Sequence, residues 1–268
     1  MQTIDAISQP LRGELKTPIQ YTWTLNNVDY NLNTWLGKKL TILFHGKITC
    51  IHCQRPTKKS FNQGYCYPCF QKLARCALCV LKPETCHFHL GTCREPEWGL
   101  SHCMQSHIVY LANTSDLKVG ITRANHVPNR WIDQGATQAI PFFSVHTRFQ
   151  SGLIEDRMKT LLPDKTHWRK MLAGEAAPLD LMAERERLYP LVLEKIIPLH
   201  ATFLTEATPI TLKYPILEIP AKIQSVNPEK TPTIEGSLVG IKGQYLLFDT
   251  GQVLNIRNTT GYHIRLTI

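Results

Sequence analysis

The chain has no apolar run long enough to cross a membrane. Its most apolar stretch, residues 188–199, is interrupted by Pro190, Glu194, Lys195 and Pro198, whereas a spanning helix needs about 20 consecutive apolar residues. The first ten residues lack a basic start followed by an apolar run, so no secretory leader is expected. No cysteine follows Cys103, and no Asp or Glu occurs from Tyr30 to Pro83. At 43% hydrophobic and 19% charged over 268 residues, the composition excludes disorder, collagen and coiled coil as overall classes. The expectation is a soluble cytoplasmic protein with no membrane partner, built as one large domain or two to three small ones.

The missing acids concentrate the charge. Between Tyr30 and Pro83 the cations are Lys38, Lys39, Lys47, Arg55, Lys58, Lys59, Lys72, Arg75 and Lys82; these nine leave 21 of the 30 Lys and Arg, which the 21 Asp and Glu cancel. The whole net charge of +9 therefore resides in this one segment. A concentrated positive patch is the electrostatic footprint of a phosphate-rich partner, which names Lys47, Arg55, Lys58, Lys59, Lys72 and Arg75 as candidate nucleic-acid contacts. The bland alternative is a solvated basic face.

The cysteines crowd into the same region. Seven of the nine lie between Cys50 and Cys86, with Cys93 and Cys103 following. The odd count, the close pairing and the absence of a leader argue against an extracellular disulfide framework. Cys50-Ile-His-Cys53 and Cys66-Tyr-Pro-Cys69 are Cys-x2-Cys turns separated by twelve residues. Each such turn sets two sulfurs about 3.5–4 Å apart, the separation that two ~2.3 Å Zn–S bonds at a tetrahedral angle require. A closed four-thiolate shell of this kind holds a fold together and leaves no open position for chemistry. Phe61, Tyr65, Tyr67 and Phe70 lie among its lysines, either to stack bases or to fill the small core of the module. A second zinc site is read from Cys76, Cys79, Cys86 and Cys93, with Cys103 as alternate; packed thiols are the competing reading, Cys79 sitting among apolar neighbours.

After Cys103 the composition turns to short strands and helices. Residues 107–112 and 117–122 form a hairpin by residue type, Pro128 opens a short helix ended by Gly135, residues 140–149 read as a third strand, and Gly152 leads into a helix. This order resembles the GIY-YIG nuclease superfamily. Ile108-Val109-Tyr110 is similar to its first motif, and Lys118-Val119-Gly120 to its second, with Lys118 where most members carry tyrosine. The resemblance implies catalytic roles for Tyr110, Lys118, Arg123, Arg130 and Glu155: a tyrosine base, an arginine on the phosphate, and a glutamate holding Mg2+ or Mn2+. Each has a plain alternative, such as an i,i+4 surface pair of Glu155 with Lys159. Gly91-Thr92-Cys93-Arg94, residues 131–136 and residues 240–245 resemble the family catalogued as DUF2797, which brings no activity with it.

Beyond the core, residues 179–198 have a helical pattern, with Glu184, Arg185, Glu186 and Arg187 read as its solvated face. Residues 211–219, 236–241, 244–248, 253–256 and 262–266 read as strands, and residues 11–48 alternate likewise. The two ends of the chain either share one sheet or form separate ones. The expected architecture is α+β: a β-rich segment (1–49), a Cys-rich zinc module (50–104), a GIY-YIG-like domain (105–175), a helical connector (176–205) and a β-rich C-terminal domain (206–268). The expected function is a zinc-containing nucleic-acid-binding protein, DNA and RNA both open, with metal-dependent phosphodiester cleavage implied by the resemblance. The alternatives are a non-catalytic RNA- or DNA-binding protein on a degenerate nuclease fold, and a zinc-built adaptor for an acidic protein partner.

Overall fold

A computed structural model describes residues 2–163, 165–174 and 176–268. The architecture is mixed α+β and falls into two compact units: Met1–Gln71 with Leu172–Gly174 and Leu212–Ile268, and Lys72–Met171 with Glu175–Thr211. Among the described residues no helix is long and apolar enough to cross a membrane.

The first unit is built on β-structure that is antiparallel except where Gln224–Ser225 runs parallel to Gln252–Asn255. Its larger sheet runs in the order Thr3–Ile7, Tyr262–Thr267, Lys39–Thr49, Thr233–Lys242, Tyr245–Phe248, Gln252–Asn255, Gln224–Ser225. The two chain ends thus share one sheet, with Ile4 opposite Leu266 and Ala6 opposite Ile264. Alternation drives this pairing: Leu40, Ile42 and Phe44 are buried on one face of Lys39–Thr49, while the residues between them are more exposed. Lys242 and Tyr245 close a hairpin over Gly243, which takes a left-handed φ of 62°, as its residue type leads one to expect. A smaller sheet of Arg12–Glu14, Gln20–Leu25 and Val28–Asn31 buries Tyr21, Trp23 and Leu25.

One expected strand is absent. Residues 211–219 do not form a continuous strand; Ile210–Thr211 is a two-residue fragment, and Ile216 makes only an isolated bridge to Gly240. Pro215 lies within that stretch and has no N–H to give to a ladder, so pairing is confined to single bonds such as Leu217 N to Val239 O at 2.7 Å.

The second unit has a central strand, His107–Asn113, paired antiparallel on one side with Leu117–Arg123 and on the other with Gln138–Val145. Val109, Leu111, Val119 and Ile121 form one face of this sheet. They pack in a core with Ile154 and Met158 of helix Arg148–Met158 and with Leu188, Val192 and Ile196 of helix Leu181–Ile196. Tyr110 points to the opposite face, where its ring meets Trp131 of helix Asn129–Asp133 edge-on, the centroids 5.8 Å apart.

Two boundaries and one face differ from the sequence reading. The third strand ends at Val145, and the next helix starts at Arg148, four residues before Gly152, because Thr147 and Gln150 form a reciprocal cap. Arg185 does not belong to a solvated face. It is 1% exposed, its guanidinium donates to the carbonyls of Leu204 (2.8 Å), Ala207 (2.9 Å) and Thr205 (3.1 Å), and it lies over the Phe203 ring. A buried guanidinium is tolerated where carbonyls take its donors, and these three bonds tie the loop after Phe203 to the helix.

Candidate metal centre

Strand Lys39–Thr49 delivers Cys50 directly into a tight turn. Cys50 N donates to Arg55 O and Gln54 N to Cys50 O, both at 2.9 Å, with Gln54 at a left-handed φ of 59°. This fold-back sets Cys53 beside Cys50. A second hairpin pairs Phe61 with Tyr65 across Asn62, Gln63 and Gly64, all at positive φ. At Gly64, φ of 125° and the Ile51 side chain, 3.0 Å from where a Cβ would sit, together demand glycine. Cys66 then precedes helix Tyr67–Lys72, which carries Cys69 on its buried side.

The ligand atoms of Cys50, Cys53, Cys66 and Cys69 all lie within 4.8 Å of one another. Cys53 Sγ and Cys66 Sγ are 3.7 Å apart, the separation of two sulfurs that share a tetrahedral zinc with ~2.3 Å bonds. Burial raises the Cys50 thiol, but the backbone groups of Cys53, Cys66 and His52 outweigh it and bring it down to about 6. Burial and the neighbouring sulfurs push Cys69 up. Four soft donors at these spacings fit one metal ion, and an all-thiolate tetrahedron suits zinc. With four protein ligands the shell is closed, so an ion here holds the two turns together.

Around the centre, Lys47, Arg55, Lys58 and Lys59 are exposed, and none has a carboxylate partner among the described residues. Phe61 lies 5.3 Å from Tyr67 and 5.7 Å from Phe70 by ring centroid, with Lys59 Nζ 5.5 Å above Phe61; Tyr67 is 51% exposed. Tyr65 is buried and belongs to the module's core. Lys72 and Arg75, from the same predicted contact set, fall in the second unit; both are exposed, and the Arg75 guanidinium lies over Trp98.

The residues named by the nuclease resemblance are partly brought together. Tyr110 is wholly buried; its hydroxyl accepts from Gln134 Nε2 and lies over Gly120, where an added Cβ would sit 2.6 Å from the oxygen. Burial raises the phenol, with the Arg130 charge opposing and the Glu155 charge adding to that shift, so Tyr110, Arg130 and Glu155 share one neighbourhood. Lys118 is buried too, but its Nζ donates to Thr166 Oγ1 at 3.2 Å. The Arg123 charge bears on His107 and His102. His107 is fully buried, its Nδ1 on Gln105 O at 2.7 Å, and burial with the nearby Arg148 and Arg123 charges holds it down to about 4, so it is neutral at physiological pH.

Two residues of this neighbourhood have no place in the motif reading. Gln134 is legible in retrospect, since it caps helix Asn129–Asp133 four residues after Arg130 and its Nε2 also donates to Arg130 O at 3.0 Å. Arg148 is the first residue of its helix, where the dipole disfavours a cation, and that misfit is itself a signal of another task.

Neither the curated proteins nor the solved structures gave a match to this chain. The family model described as a protein of unknown function, DUF2797, matches residues 37–264, and the chain belongs to that family.

Proposed function

We propose that this chain is a nucleic-acid-binding protein whose four-cysteine module is held by zinc and presents cations and aromatic rings to a strand. The observation that carries this reading is the module's surface: exposed Lys47, Arg55, Lys58 and Lys59, without carboxylate partners among the described residues, with Lys59 over the Phe61 ring and that ring against Tyr67 and Phe70. Lysines neutralise phosphates and rings stack on bases without demanding a sequence, so single strands suit this surface best. Charge reversal of Lys58 and Lys59 to Glu is expected to weaken binding of a labelled single strand by at least about tenfold and flatten its salt dependence. Tyr67→Ala is expected to cost about 1–3 kcal/mol per stacked base without altering the salt slope. Binding of wild type that ignores salt, or an unchanged affinity in the double charge reversal, rejects this reading and turns attention to an acidic protein partner.

A second reading, metal-dependent phosphodiester cleavage, is favoured by the shared neighbourhood of Tyr110, Arg130 and Glu155. Its element order and its residue placement support it; the buried, engaged Tyr110 hydroxyl opposes a role as base, because a raised phenol stays protonated at neutral pH. In this reading Glu155 takes Mg2+ or Mn2+ and Arg130 the scissile phosphate. Cleavage of labelled DNA and RNA with either ion is then expected to fall at least about 100-fold in Glu155→Ala and in Arg130→Ala, the scale of losing one electrostatic stabiliser. Salt-sensitive binding with no metal-dependent product in wild type leaves binding alone.

A further inference from the structure

The segment from Ala74 to Cys103 is made of single helical turns: Ala74–Cys76, Leu78–Leu81, Pro83–Thr85, Phe88–Leu90 and the short helix Pro96–His102. Leu78, Leu81, Leu90 and Leu100 are all exposed, and the residues it buries are small or sulfur-bearing: Ala74, Cys76, Ala77, Pro83, Gly99 and Cys103, with Cys79, Cys86 and Cys93 half-buried. Cys79, Cys86, Cys93 and Cys103 line one small cavity, together with Ala74, Ala77, Phe88, Arg94, Trp98 and Gly99; no three of these sulfurs lie within 4.8 Å of one another, so an ion bound here draws them together. Cys76, though flanked in sequence by two of those lining residues, is not among them.

Each thiol reaches the cavity by a local device. Cys86 follows the turn Pro83–Thr85, its N–H on Pro83 O. Gly91, with φ of 69°, reverses the chain to bring Cys93 back. Cys103 ends its helix, N–H on Gly99 O at 2.7 Å. Gly99 has no room for a side chain, since a Cβ would sit 2.8 Å from the Phe88 ring and 3.4 Å from Cys93 Sγ.

A second, independent feature points at the same place. The Arg148 backbone N–H donates to Cys103 O at 2.8 Å, and its Nη2 donates to Val80 O, next to Cys79, at 2.7 Å. Its buried Nε has no hydrogen-bond partner among the described residues. Among the charges that act on it, Cys103, Glu155 and Cys79 favour its cationic form and Arg130 opposes it. Four thiolates around one divalent ion leave about two negative charges, and such a complex adds to Glu155 as a countercharge for this half-buried guanidinium.

We infer that Cys79, Cys86, Cys93 and Cys103 hold a second zinc ion, with the half-buried Arg148 as a countercharge beside it. On binding, each thiol that ligates gives up its proton to solvent, so uptake of the ion releases protons and strengthens as pH rises. His87 also borders the cavity, but its Nδ1 is engaged with Thr92 Oγ1 at 2.6 Å. Cys76 then belongs to the local packing.

The full-length protein, saturated with zinc and freed of excess, is expected to carry two ions per chain by elemental analysis. X-ray absorption at the zinc edge is expected to show sulfur ligands only, at about 2.3 Å. Serine at Cys79, Cys86, Cys93 or Cys103 is expected to lower the count to one, while Cys76→Ser keeps two. Arg148→Gln is expected to weaken one of the two ions by roughly 10–100-fold against a competing chelator, the scale of losing an outer-shell partner. A single ion in wild type overturns the inference, and this readout needs no variant to fold. So does nitrogen in the zinc shell, or loss of an ion from Cys76→Ser with both retained in Cys103→Ser.

Discussion

Serine at Cys66 is expected to release one zinc ion and to unfold the module of residues 50–71 while the sheet it grows from stays protected. The contrast follows from what each part buries. Between residues 50 and 71 the buried side chains are Cys50, Tyr65, Cys66 and Cys69, so three of the four are ligands. Such a core supplies too little apolar area to hold two left-handed turns in place. Structural zinc, by contrast, contributes an apparent ~10–16 kcal/mol in isolated finger peptides at neutral pH. The sheet has its own core in Leu40, Ile42, Phe44, Ile234 and Leu266, and its pairing with Tyr262–Thr267 does not involve the thiols. Hydrogen exchange resolves the two parts. Amides of Ile51, Phe61, Tyr65 and Phe70, each bonded within the module, are expected to lose protection by several orders of magnitude, and those of strand Lys39–Thr49 to keep most of theirs. Retained zinc with unchanged exchange in Cys66→Ser rejects a structural metal at this centre. Under the binding reading proposed above, loss of affinity in this variant is expected to follow, because Arg55, Lys58, Lys59 and the rings are carried within residues 50–71, whereas Lys47 stays on the strand.

How much of this was legible in the residues depends on how local the signal is. The four-cysteine centre was legible because each Cys-x2-Cys turn brings its sulfurs together without help from the rest of the chain; only the spacing between turns had to permit closure. The hairpin at Tyr110 and Lys118 was legible for a similar reason, since β-branched residues and a turn sequence are adjacent. The strand expected over residues 211–219 failed because composition outvoted a single Pro215. Arg185 was misread because a cation between two glutamates on a helix looks solvated, and nothing local announces three carbonyls presented by residues 204–207. The second thiol cluster lies between these cases. Its residue types were plain, but the spacings of six, six and nine residues between Cys79, Cys86, Cys93 and Cys103 impose no geometry. Short turns fix which sulfurs line the cavity, and there Cys103 is present and Cys76 is not, which is the ground for the ligand set inferred above.

Gly152→Ala is expected to destabilise the second unit, against the direction helix propensity gives. Gly152 lies inside helix Arg148–Met158, where alanine is favoured over glycine by about 1 kcal/mol. The structural reason for glycine is close approach. A Cβ at this position would sit 2.4 Å from Pro83 Cβ, 2.7 Å from Glu84 N and 2.8 Å from Pro83 C. None of these atoms can swing aside as a side-chain end can, so the turn Pro83–Thr85 must move as a body. Overpacking a fitted contact costs about 1–3 kcal/mol, and backbone on both sides places this one at the upper end. The net effect is a loss of about 2 kcal/mol, or roughly 4–8 °C in melting temperature for a unit of this size. Cys86 follows that turn directly, so displacement of Pro83–Thr85 carries its sulfur away from Cys79, Cys93 and Cys103. The same variant is therefore expected to bind one of the two inferred zinc ions more weakly, with the ion at Cys50, Cys53, Cys66 and Cys69 untouched. Asp156→Ala on the exposed side of the same helix is the control; it meets no backbone, its smaller propensity gain is partly offset by loss of the 3.7 Å ion pair with Lys159, and its stability is expected to shift by no more than about 0.5 kcal/mol. A melting temperature that rises in Gly152→Ala would mean that the helix and the turn are not pressed together as described, and would remove the route by which the helix positions Cys86.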